Sequence, residues 1–213
     1  MCANYAPVQR QILRDVFDVE PPAAEWKPEV LPGDAAPVVR TDIEGRRESV
    51  LAIFGLVHRS RTLQGSQSFE TMNARFECVG DRSSSSGPWH RSQFCLVPAT
   101  AIYETSYEAG ASSKRYRIWL KDEPAFGIAG LWRDWPDGTY SFAMLTVSAY
   151  QHPVMKRMQA PGKEKRSVVI VPRTQWADWL SCRDPGLARS FMTLYPADEM
   201  AAEPAPRSKE AIV

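Results

Sequence analysis

The run QFCLVPA, residues 93–99, is made of apolar and β-favouring residues between polar segments, and it predicts a buried strand. Four runs of the same kind flank it in the sequence: SVLAIFGLV (49–57), RYRIWL (115–120), FGIAGLW (126–132) and YSFAMLTVSAY (140–150). Turn-rich segments such as DRSSSSGPW and DWPDGT separate the runs. The middle of the chain is therefore predicted to be a mostly antiparallel sheet.

Helices are predicted before and after these strands in the sequence. Residues 7–19 carry valine and isoleucine at spacings of four and three, which is typical of an amphipathic helix, and Pro7 suits its first position. Residues 174–182 and 185–195 fit two later helices. The sheet and the helices together predict an α+β fold.

Shorter elements complete the prediction. A proline-rich connector over residues 20–34 leads into a short strand at 36–40, and another strand is predicted at 168–171. The last dozen residues have too little apolar content to fold. We therefore expect one domain over residues 1–196 and a flexible C-terminal tail over residues 197–213.

The composition fits one globular domain without a strongly basic surface. The chain has 213 residues, of which 44% are hydrophobic, and it contains 7 Trp, 7 Tyr and 8 Phe. A chain of this size normally folds around one sizeable core. Because 26 Lys and Arg residues face 25 Asp and Glu residues, the net charge is only +1. An anionic partner must therefore contact a local basic patch.

Neither a secretory signal nor a membrane-spanning stretch is evident. The first residues, MCANYAPVQRQ, lack a basic start and an apolar stretch, and no apolar run approaches the roughly 18 residues that span a bilayer. The four cysteines are scattered, without a C-x-x-C pair or the histidine spacing of a zinc site. We expect a cytoplasmic protein with free thiols and with no metal, cofactor or membrane partner.

Cys2 has two interpretations from the sequence alone. The default is structural, because cysteine is a small residue that packs readily in a core. If Met1 is removed, however, Cys2 carries an α-amine with a pKa of about 7.7–8.0 beside a thiol with a pKa of about 8.5, and both are nucleophiles near neutral pH. Such an aminothiol can condense with an aldehyde and close to a five-membered thiazolidine. It can also serve an N-terminal-cysteine amidohydrolase, in which the amine is the base for the thiol.

Three more residues have types that suit such a site. Asn73 and Arg75 lie two apart and share one face if the segment is extended, where the amide could hold an amine or thiol and the guanidinium could bind a phosphate. Glu104 ends an apolar stretch, where burial tends to raise the pKa of a carboxyl, as a general acid requires. Each also has a structural interpretation, as a turn residue, a surface ion pair or a strand-end charge.

The order and spacing of these residues resemble the SOS-response-associated peptidase (SRAP) family of abasic-site-processing proteins. That family begins with Met-Cys, carries Asn-Ala-Arg-x-Glu after a Trp-Gly strand, and then has a Cys-Leu-Val-Pro-Ala motif that leads to an aromatic-Glu pair. The matching residues here are Met1-Cys2 with Tyr5, Phe54-Gly55, Asn73-Ala74-Arg75 with Glu77, and Cys95 to Ala99 with Tyr103-Glu104. The resemblance extends to about residue 180.

The resemblance implies a monomeric single-domain fold, in which a curved sheet or pseudo-barrel with flanking helices forms a groove for single-stranded DNA. Members cap abasic sites covalently in the DNA-damage response, after peptidase-type exposure of Cys2. Carried over, Cys2 forms the thiazolidine with the sugar aldehyde, and Asn73 positions its amine and thiol. Arg75 holds the phosphate beside the lesion, and Glu104 protonates the sugar oxygen as the ring opens.

The histidine that this family uses is missing here. Gln159 takes its place by register with members that carry an insertion, and Glu164 takes it if no gap is allowed. His152 lies upstream and could swing in, although a histidine before proline at a strand end more often caps that end. Glutamine can position a hydroxyl but cannot transfer a proton near pH 7, so we expect slower crosslinking or impaired reversal.

The DNA-contacting positions also depart from the family. Phe54 replaces a groove tryptophan but keeps a ring that can stack on a base, Ala3-Asn4 replace Gly-Arg, and Thr105 replaces a tryptophan. Candidate compensating contacts to DNA come from basic residues elsewhere. These are Arg40, His58, Arg59, Arg61, Lys165 and Arg166, together with Lys163.

The sequence leaves three functions open. The leading hypothesis is a repair factor that binds single-stranded DNA and crosslinks to abasic sites through Cys2. The second is a divergent relative that binds single strands with weak or no chemistry, because the histidine is missing. The third, an N-terminal-cysteine amidohydrolase, is disfavoured because the arginine-rich strand and Asn-Gly-Asp segment that hold glutamine are absent.

Overall fold

The structure, a computed structural model, describes residues 2–58, 71–107 and 113–207. Within these ranges eleven strands form one mixed sheet. The strands are β1 (Tyr5–Pro7), β2 (Ala35–Thr41), β3 (Arg47–Phe54), β4 (Asn73–Arg75), β5 (Phe94–Ser106), β6 (Lys114–Leu120), β7 (Phe126–Asp134), β8 (Tyr140–Ser148), β9 (Arg166–Val168), β10 (Ile170–Val171) and β11 (Met200–Pro204). The described α-helices are α1 (Arg10–Phe17), α2 (Ser86–His90), α3 (Trp176–Ser181) and α4 (Pro185–Ala188).

Five strands close into a barrel. They follow one another in the order β7, β8, β3, β2 and β5, and β5 pairs with β7 to complete the ring. β8 pairs in parallel with β3 and with the short β4, whereas the other strand pairings are antiparallel. β6 and β11 extend the sheet beyond β5. The predicted α+β fold with a curved, mainly antiparallel sheet is confirmed.

β5 connects the two halves of the core, and its sequence explains how. Side chains alternate across a strand, so Cys95 and Val97 pack in the barrel interior while Phe94 and Leu96 pack on the outer side, against the helices. Because both faces of β5 are buried, this part of the chain is a continuous apolar run rather than an alternating one.

Aromatic side chains fill both halves of the core. Inside the barrel the rings of Phe54 and Phe142 stack with their centroids 5.0 Å apart, and Tyr5 meets Phe54 edge-on at 5.7 Å. On the outer side Trp179 stacks on the ring of Phe94 at 4.5 Å and donates a hydrogen bond from its indole to the Cys95 carbonyl. These contacts fix α3 against the barrel wall.

A glycine on β7 allows the barrel strands to approach closely. A Cβ atom at Gly130 would lie 2.9 Å from the Cys95 sulfur and 3.1 Å from the Ala143 carbonyl oxygen. Either distance is too short for ordinary van der Waals contact, so the curvature of the β5–β7–β8 wall depends on the missing side chain.

The helices are shorter than the sequence pattern predicts. Residues 7–19 were expected to be helical throughout, but Tyr5–Pro7 form β1 against β5 and α1 begins only at Arg10. α1 ends at Phe17 because Asp18 adopts a left-handed conformation with φ 56°, which aspartate tolerates better than most residues. The late helices are also short: a 3₁₀ turn precedes α3 and another follows α4, so periodicity located them correctly but overestimated their length.

The C-terminal segment departs from the expected flexible tail. Residues 197–199 form a 3₁₀ turn, and β11 then pairs antiparallel with β6 from Met200↔Leu120 to Pro204↔Tyr116. Met200 is the one residue of β11 that is fully buried, so backbone hydrogen bonds to the edge of β6 hold this segment with little help from apolar burial. The expectation is therefore wrong for residues 200–204, and residues 208–213 lie outside the described ranges. Among the described helices, none is long and apolar enough to cross a bilayer.

Candidate functional site at the N-terminal cysteine

Cys2 is buried at the end of the chain, directly before β1. The residue is 2% exposed, and its main-chain carbonyl accepts a hydrogen bond of 2.8 Å from the Asn73 side-chain amide. Asn73 begins β4, which the parallel pairing with Met144 of β8 holds in place. This contact joins residues that are 71 positions apart in the chain and brings Cys2 and Asn73 together, as the sequence predicted.

β4 also explains why Asn73 and Arg75 serve the same site. Ala74 between them is buried in the outer core, so the two polar side chains lie on the opposite face of the strand. The Asn73 side-chain oxygen is buried, and among the described residues it has no hydrogen-bond partner. A buried acceptor without a donor is costly in a folded protein and calls for an explanation.

Glu104 is a second unsatisfied acceptor beside Cys2. It lies on β5, it is 6% exposed, and within the described structure its Oε1 atom has no hydrogen-bond partner. Burial raises the pKa of the Glu104 carboxyl above its ordinary value, an effect that the charge of the N-terminal amine and a hydrogen bond with the Gln159 amide reduce in part. Burial and the negative charge of Glu104 raise the pKa of the Cys2 thiol to about 12. The thiol is therefore protonated at neutral pH in this environment.

A cavity of about 500 Å³ opens beside these residues. Its lining residues are Arg75, Glu104, Thr105, Tyr107, Gln159, Ala160, Lys163 and Glu164. The predicted acid Glu104, the predicted phosphate ligand Arg75 and the predicted histidine replacement Gln159 thus share one cavity. Tyr107 was not predicted from the sequence, because it follows the apolar part of β5 and belongs to no periodic pattern.

Gln159 is held in this cavity by main-chain groups. Its backbone amide donates to the Thr105 carbonyl at 2.7 Å, and its side chain forms two hydrogen bonds with the main chain of Arg166, at 2.9 and 3.0 Å. Its φ of 65° places it in the left-handed region, which the surrounding hydrogen bonds stabilise. Glu164, the alternative replacement, lines the same cavity but is engaged by two arginines.

Those two arginines differ sharply in environment. Arg75 is 40% exposed and pairs with Glu164 at 2.7 Å. The Arg166 side chain is 1% exposed, and it pairs with both Glu77 oxygens at 2.9 Å and with Glu164 at 2.8 Å. Its second terminal nitrogen also donates to the Thr146 carbonyl at 2.5 Å. We call Glu77, Thr146, Glu164 and Arg166 the Arg166 cluster.

Arg166 and Lys165 do not supply the surface charges that were expected for DNA binding. Arg166 is buried, as the contacts above require. The Lys165 amine donates to the carbonyl oxygens of Met158 and Gln159, both at 2.6 Å, and so closes the loop that carries Gln159. Both basic side chains stabilise the protein interior, a role that charge in the sequence cannot distinguish from surface exposure.

His152 does not replace the missing histidine. It is buried, with Nε2 2.9 Å from the Tyr195 carbonyl, while Nδ1 accepts hydrogen bonds from the backbone amides of Val154 and Met155. Nδ1 thereby caps the turn at Met155, Nε2 is used by the Tyr195 carbonyl, and His152 does not line the cavity. The catalytic role considered for it is not supported by this geometry.

Two further residues that were expected to contact DNA make contacts within the protein. Phe54 is fully buried in the barrel, so its ring cannot stack on a base. Arg40 pairs with Glu48 at 2.7 Å, and its guanidinium lies over the ring of Trp132 at 4.1 Å. These contacts engage Arg40 across the barrel wall, although its Nε atom has no hydrogen-bond partner among the described residues. The phosphate contact expected of Arg40 stays a prediction.

The remaining candidates lie at the edge of the described structure. His58 is 3.2 Å from Asp137 and meets the ring of Trp135 edge-on. Arg59 and Arg61 fall outside the described residues. Within the described ranges, no group of three or more His, Cys, Asp or Glu side chains is arranged to hold a metal ion.

Comparison with known protein families gives one match that covers nearly the whole chain. The family model described as SOS response associated peptidase (SRAP) matches residues 1–208. A relative from Bacillus subtilis (strain 168), the abasic site processing protein YoqW, is 27% identical over 138 residues, which cover 63% of this chain and 59% of that protein. The abasic site processing protein YobE of the same organism is 26% identical over 138 residues, or 63% of this chain and 60% of that protein. The match therefore spans about three fifths of the length of these relatives.

Solved structures agree in fold. A protein from Bordetella bronchiseptica superposes with a TM-score of 0.85 at 28% identity, covering 97% of this chain and 100% of that chain. A protein from Bacteroides thetaiotaomicron reaches a TM-score of 0.79 at 18% identity, covering 96% and 92% of the two chains. The second likeness concerns the fold alone.

Proposed function

The chain belongs to the SOS response associated peptidase family, and from that premise we propose that it processes abasic sites in DNA through a covalent bond to Cys2. The relatives from Bacillus subtilis carry the name abasic site processing protein, which supports this class of substrate. The observation that carries the proposal is the pair of unpartnered buried acceptors, Asn73 Oδ1 and Glu104 Oε1, beside Cys2.

The first step is removal of Met1, which leaves a free α-amine on Cys2. The Asn73 amide already holds the Cys2 carbonyl, on the same residue that would carry the new amine. An amine supplies the hydrogen-bond donors that the Asn73 and Glu104 oxygens lack. Removal of Met1 would therefore give the Asn73 and Glu104 oxygens the hydrogen bonds that they lack in the unprocessed chain.

The bond-forming chemistry proceeds through the amine first. The Cys2 nitrogen attacks the aldehyde carbon of the opened sugar, and one water molecule leaves to give an imine. The S–H bond then adds across the C=N bond, with sulfur bonding to carbon and the proton going to nitrogen, which closes the thiazolidine. The raised pKa of the Cys2 thiol favours this order, because a buried, protonated thiol is a poor first nucleophile.

Glu104 supplies the proton that opens the sugar ring. Its raised pKa means that the carboxyl retains its proton to higher pH than an exposed glutamate does. The same carboxylate can accept a proton from the amine once the sugar oxygen has been protonated. Glu104 thus acts first as an acid and then as a base on adjacent atoms.

Arg75 and the cavity orient the DNA. A guanidinium at the cavity edge can bind a backbone phosphate through two hydrogen bonds, and Lys163 lines the same cavity. A cavity of about 500 Å³ would receive a nucleotide that is unstacked from its neighbours, and we propose single-stranded DNA as the substrate on that ground. We propose a monomer as the active form.

A weaker form of this function is the second candidate. Gln159 occupies the cavity position assigned to the family histidine and cannot transfer a proton near pH 7. On this alternative the chain binds single-stranded DNA and crosslinks slowly or not at all.

Intact mass spectrometry before and after incubation with an abasic single strand tests both candidates. We expect the free protein to lack the mass of Met1, and the mixture to contain a covalent adduct that survives denaturing electrophoresis. Cys2→Ala should abolish the adduct, whereas Cys78→Ala, which changes a partly exposed cysteine, should leave it intact. An adduct formed equally well by Cys2→Ala would refute the mechanism, and binding without any adduct would establish the weaker alternative.

A further inference from the structure

Glu164 occupies the position in which a ligand of Arg75 would be expected. Its Oε2 atom lies 2.7 Å from Arg75 NH1, and both side chains line the cavity beside Glu104. This carboxylate oxygen offers the guanidinium a negatively charged hydrogen-bond acceptor, as a phosphate oxygen would. In the free protein, therefore, the charge of Arg75 is already neutralised.

A second contact holds Glu164 in this position. Its other oxygen accepts a hydrogen bond of 2.8 Å from the buried Arg166, whose guanidinium is fixed by both oxygens of Glu77 and by the Thr146 carbonyl. Because Glu77 already supplies one full negative charge to Arg166, Glu164 is not needed to neutralise it. Glu164 can release Arg75 and still keep a charged partner.

The two contacts of Glu164 also differ in how easily they break. The pair with Arg75 joins side chains that are 40% and 33% exposed, whereas the Arg166 side chain is 1% exposed. Partly exposed ion pairs are weak and exchange readily with other ions, while a buried pair is costly to separate. By these exposures, the contact of Glu164 with Arg75 is easier for an incoming anion to replace than its contact with Arg166.

We infer that Glu164 is a specificity-determining residue that competes with backbone phosphate for Arg75 and lowers the affinity of the site for DNA without a lesion. This inference rests on the proposed function, because it takes Arg75 as the phosphate ligand. An undamaged strand gains only the phosphate contact and must displace Glu164 to make it. An abasic strand gains the covalent bond to Cys2 as well, and so it is retained.

The test uses non-covalent binding, which separates it from the crosslinking chemistry. In a Cys2→Ala background, the dissociation constant for an undamaged single strand is measured by fluorescence anisotropy at several salt concentrations. Glu164→Gln keeps the length of the side chain and its ability to accept a hydrogen bond from Arg166. We expect it to bind about three- to tenfold more tightly at low salt, with the gain shrinking as salt screens the charge.

The salt dependence gives a second readout that a general change in packing would not produce. If Arg75 becomes free to contact one more phosphate, the slope of log K against log salt should steepen by about 0.7. The matched control is Glu25→Gln, which removes one negative charge from another arginine–glutamate pair, that of Arg10, away from the cavity. This control should show neither change.

A double-mutant cycle assigns the effect to Arg75. In the presence of Arg75→Gln, Glu164→Gln should gain no more than the Glu25→Gln control does. Glu164→Ala serves as a second variant if Glu164→Gln unfolds. Equal affinity of wild type and both Glu164 variants would overturn the inference while leaving the proposed function standing, whereas no binding of DNA by any of these proteins would count against the proposed function itself.

Discussion

Two polar regions lie side by side at this end of the barrel, and they treat buried charge in opposite ways. In the Arg166 cluster, burial raises the pKa of Glu77, but hydrogen bonds and charge from Arg166 outweigh it and leave that pKa lowered. At Cys2 the Glu104 carboxyl is buried without an arginine partner, and its pKa is raised. The first arrangement fixes a loop, whereas the second keeps a proton and an open acceptor available.

The two regions also differ in whether their carboxylate and amide oxygens have partners, and this difference helps to separate structural groups from candidate catalytic ones. The oxygens of Glu77 and Glu164 all have charged partners, so the Arg166 cluster holds β9 and the loop before it in place. Asn73 and Glu104 each have an oxygen for which the described structure supplies no donor. Buried atoms elsewhere also lack partners, Arg166 Nε among them, so a missing partner is not by itself a sign of chemistry. The two acceptors at Cys2 differ in lying together beside a candidate nucleophile, where a substrate or a processed terminus can supply their donors.

The largest effect is expected from Glu104→Gln, which removes the acid at the Cys2 site. The rate of crosslinking to an abasic single strand should fall roughly 10²- to 10⁴-fold, as is typical when one general acid–base group is lost. Single-turnover kinetics followed on denaturing gels measure this rate. The matched control is Glu77→Gln, assayed well below its unfolding temperature, which should retain most of the rate; an equal loss in both variants would remove the distinction between the two regions.

The next effect of Glu104 is on stability, and its direction follows from the raised pKa. Below the unfolded value of 4.5, the carboxyl is protonated in both states and burial costs nothing extra. As pH rises above 4.5, the unfolded chain ionises while the folded carboxyl keeps its proton, so the free energy of unfolding falls until the folded pKa is passed. Glu104→Gln lacks this dependence and should be more stable than wild type at pH 8 but not at pH 4.

Urea titrations of wild type and Glu104→Gln at several pH values measure this difference, and the contributions of the other titrating groups largely cancel between the two proteins. A stability difference that stays constant from pH 4 to pH 8 would mean that Glu104 titrates normally. The statement that Glu104 retains its proton at the Cys2 site would then be wrong.

In the Arg166 cluster the expected effect is on stability alone. Glu77→Gln leaves the buried Arg166 with Glu164 as its one carboxylate, and we expect a loss of about 1–2 kcal/mol in the free energy of unfolding, at the lower end for a charged hydrogen bond because Glu77 is half exposed. Arg166→Met should cost less, because it removes the buried charge together with its need for partners. If Arg166→Met is much the more destabilising of the two, Arg166 contributes through packing rather than charge.

Much of the barrel could be predicted from the sequence, and the short pairings could not. β5, β7 and β8 have long apolar runs because both of their faces are buried, and such runs are visible without a structure. β4 and β11 have no comparable run. Their positions depend on pairing with residues far away in the chain, with β8 and β6 respectively, which no local pattern records.

Some residues of the candidate site could likewise be predicted from the sequence, and others could not. Cys2, Asn73 and Glu104 were predicted by residue type and by family resemblance, and the structure brings them together. The basic residues could not be assigned from the sequence. Arg40, Lys165 and Arg166 have the charge expected of a DNA-binding surface, but each contacts carboxylates, aromatic rings or carbonyl oxygens of this same chain. Charge is visible in a sequence, whereas the partner that neutralises it is not.

The smallest effect is expected at the residue that joins the two regions. Gln159 lines the cavity with Glu104 and bonds to the main chain of Arg166, so Gln159→His introduces a titrating ring between the two. Histidine tolerates the left-handed backbone found here, and we expect the crosslinking rate to rise about tenfold and to depend on a group with a pKa of about 6.5. Gln93→His, which changes a glutamine hydrogen-bonded to Asp134 and remote from the cavity, should alter neither the rate nor its pH profile. An unchanged rate with a flat profile for Gln159→His would mean that position 159 supports the Arg166 cluster rather than the reaction, and would separate the two regions completely.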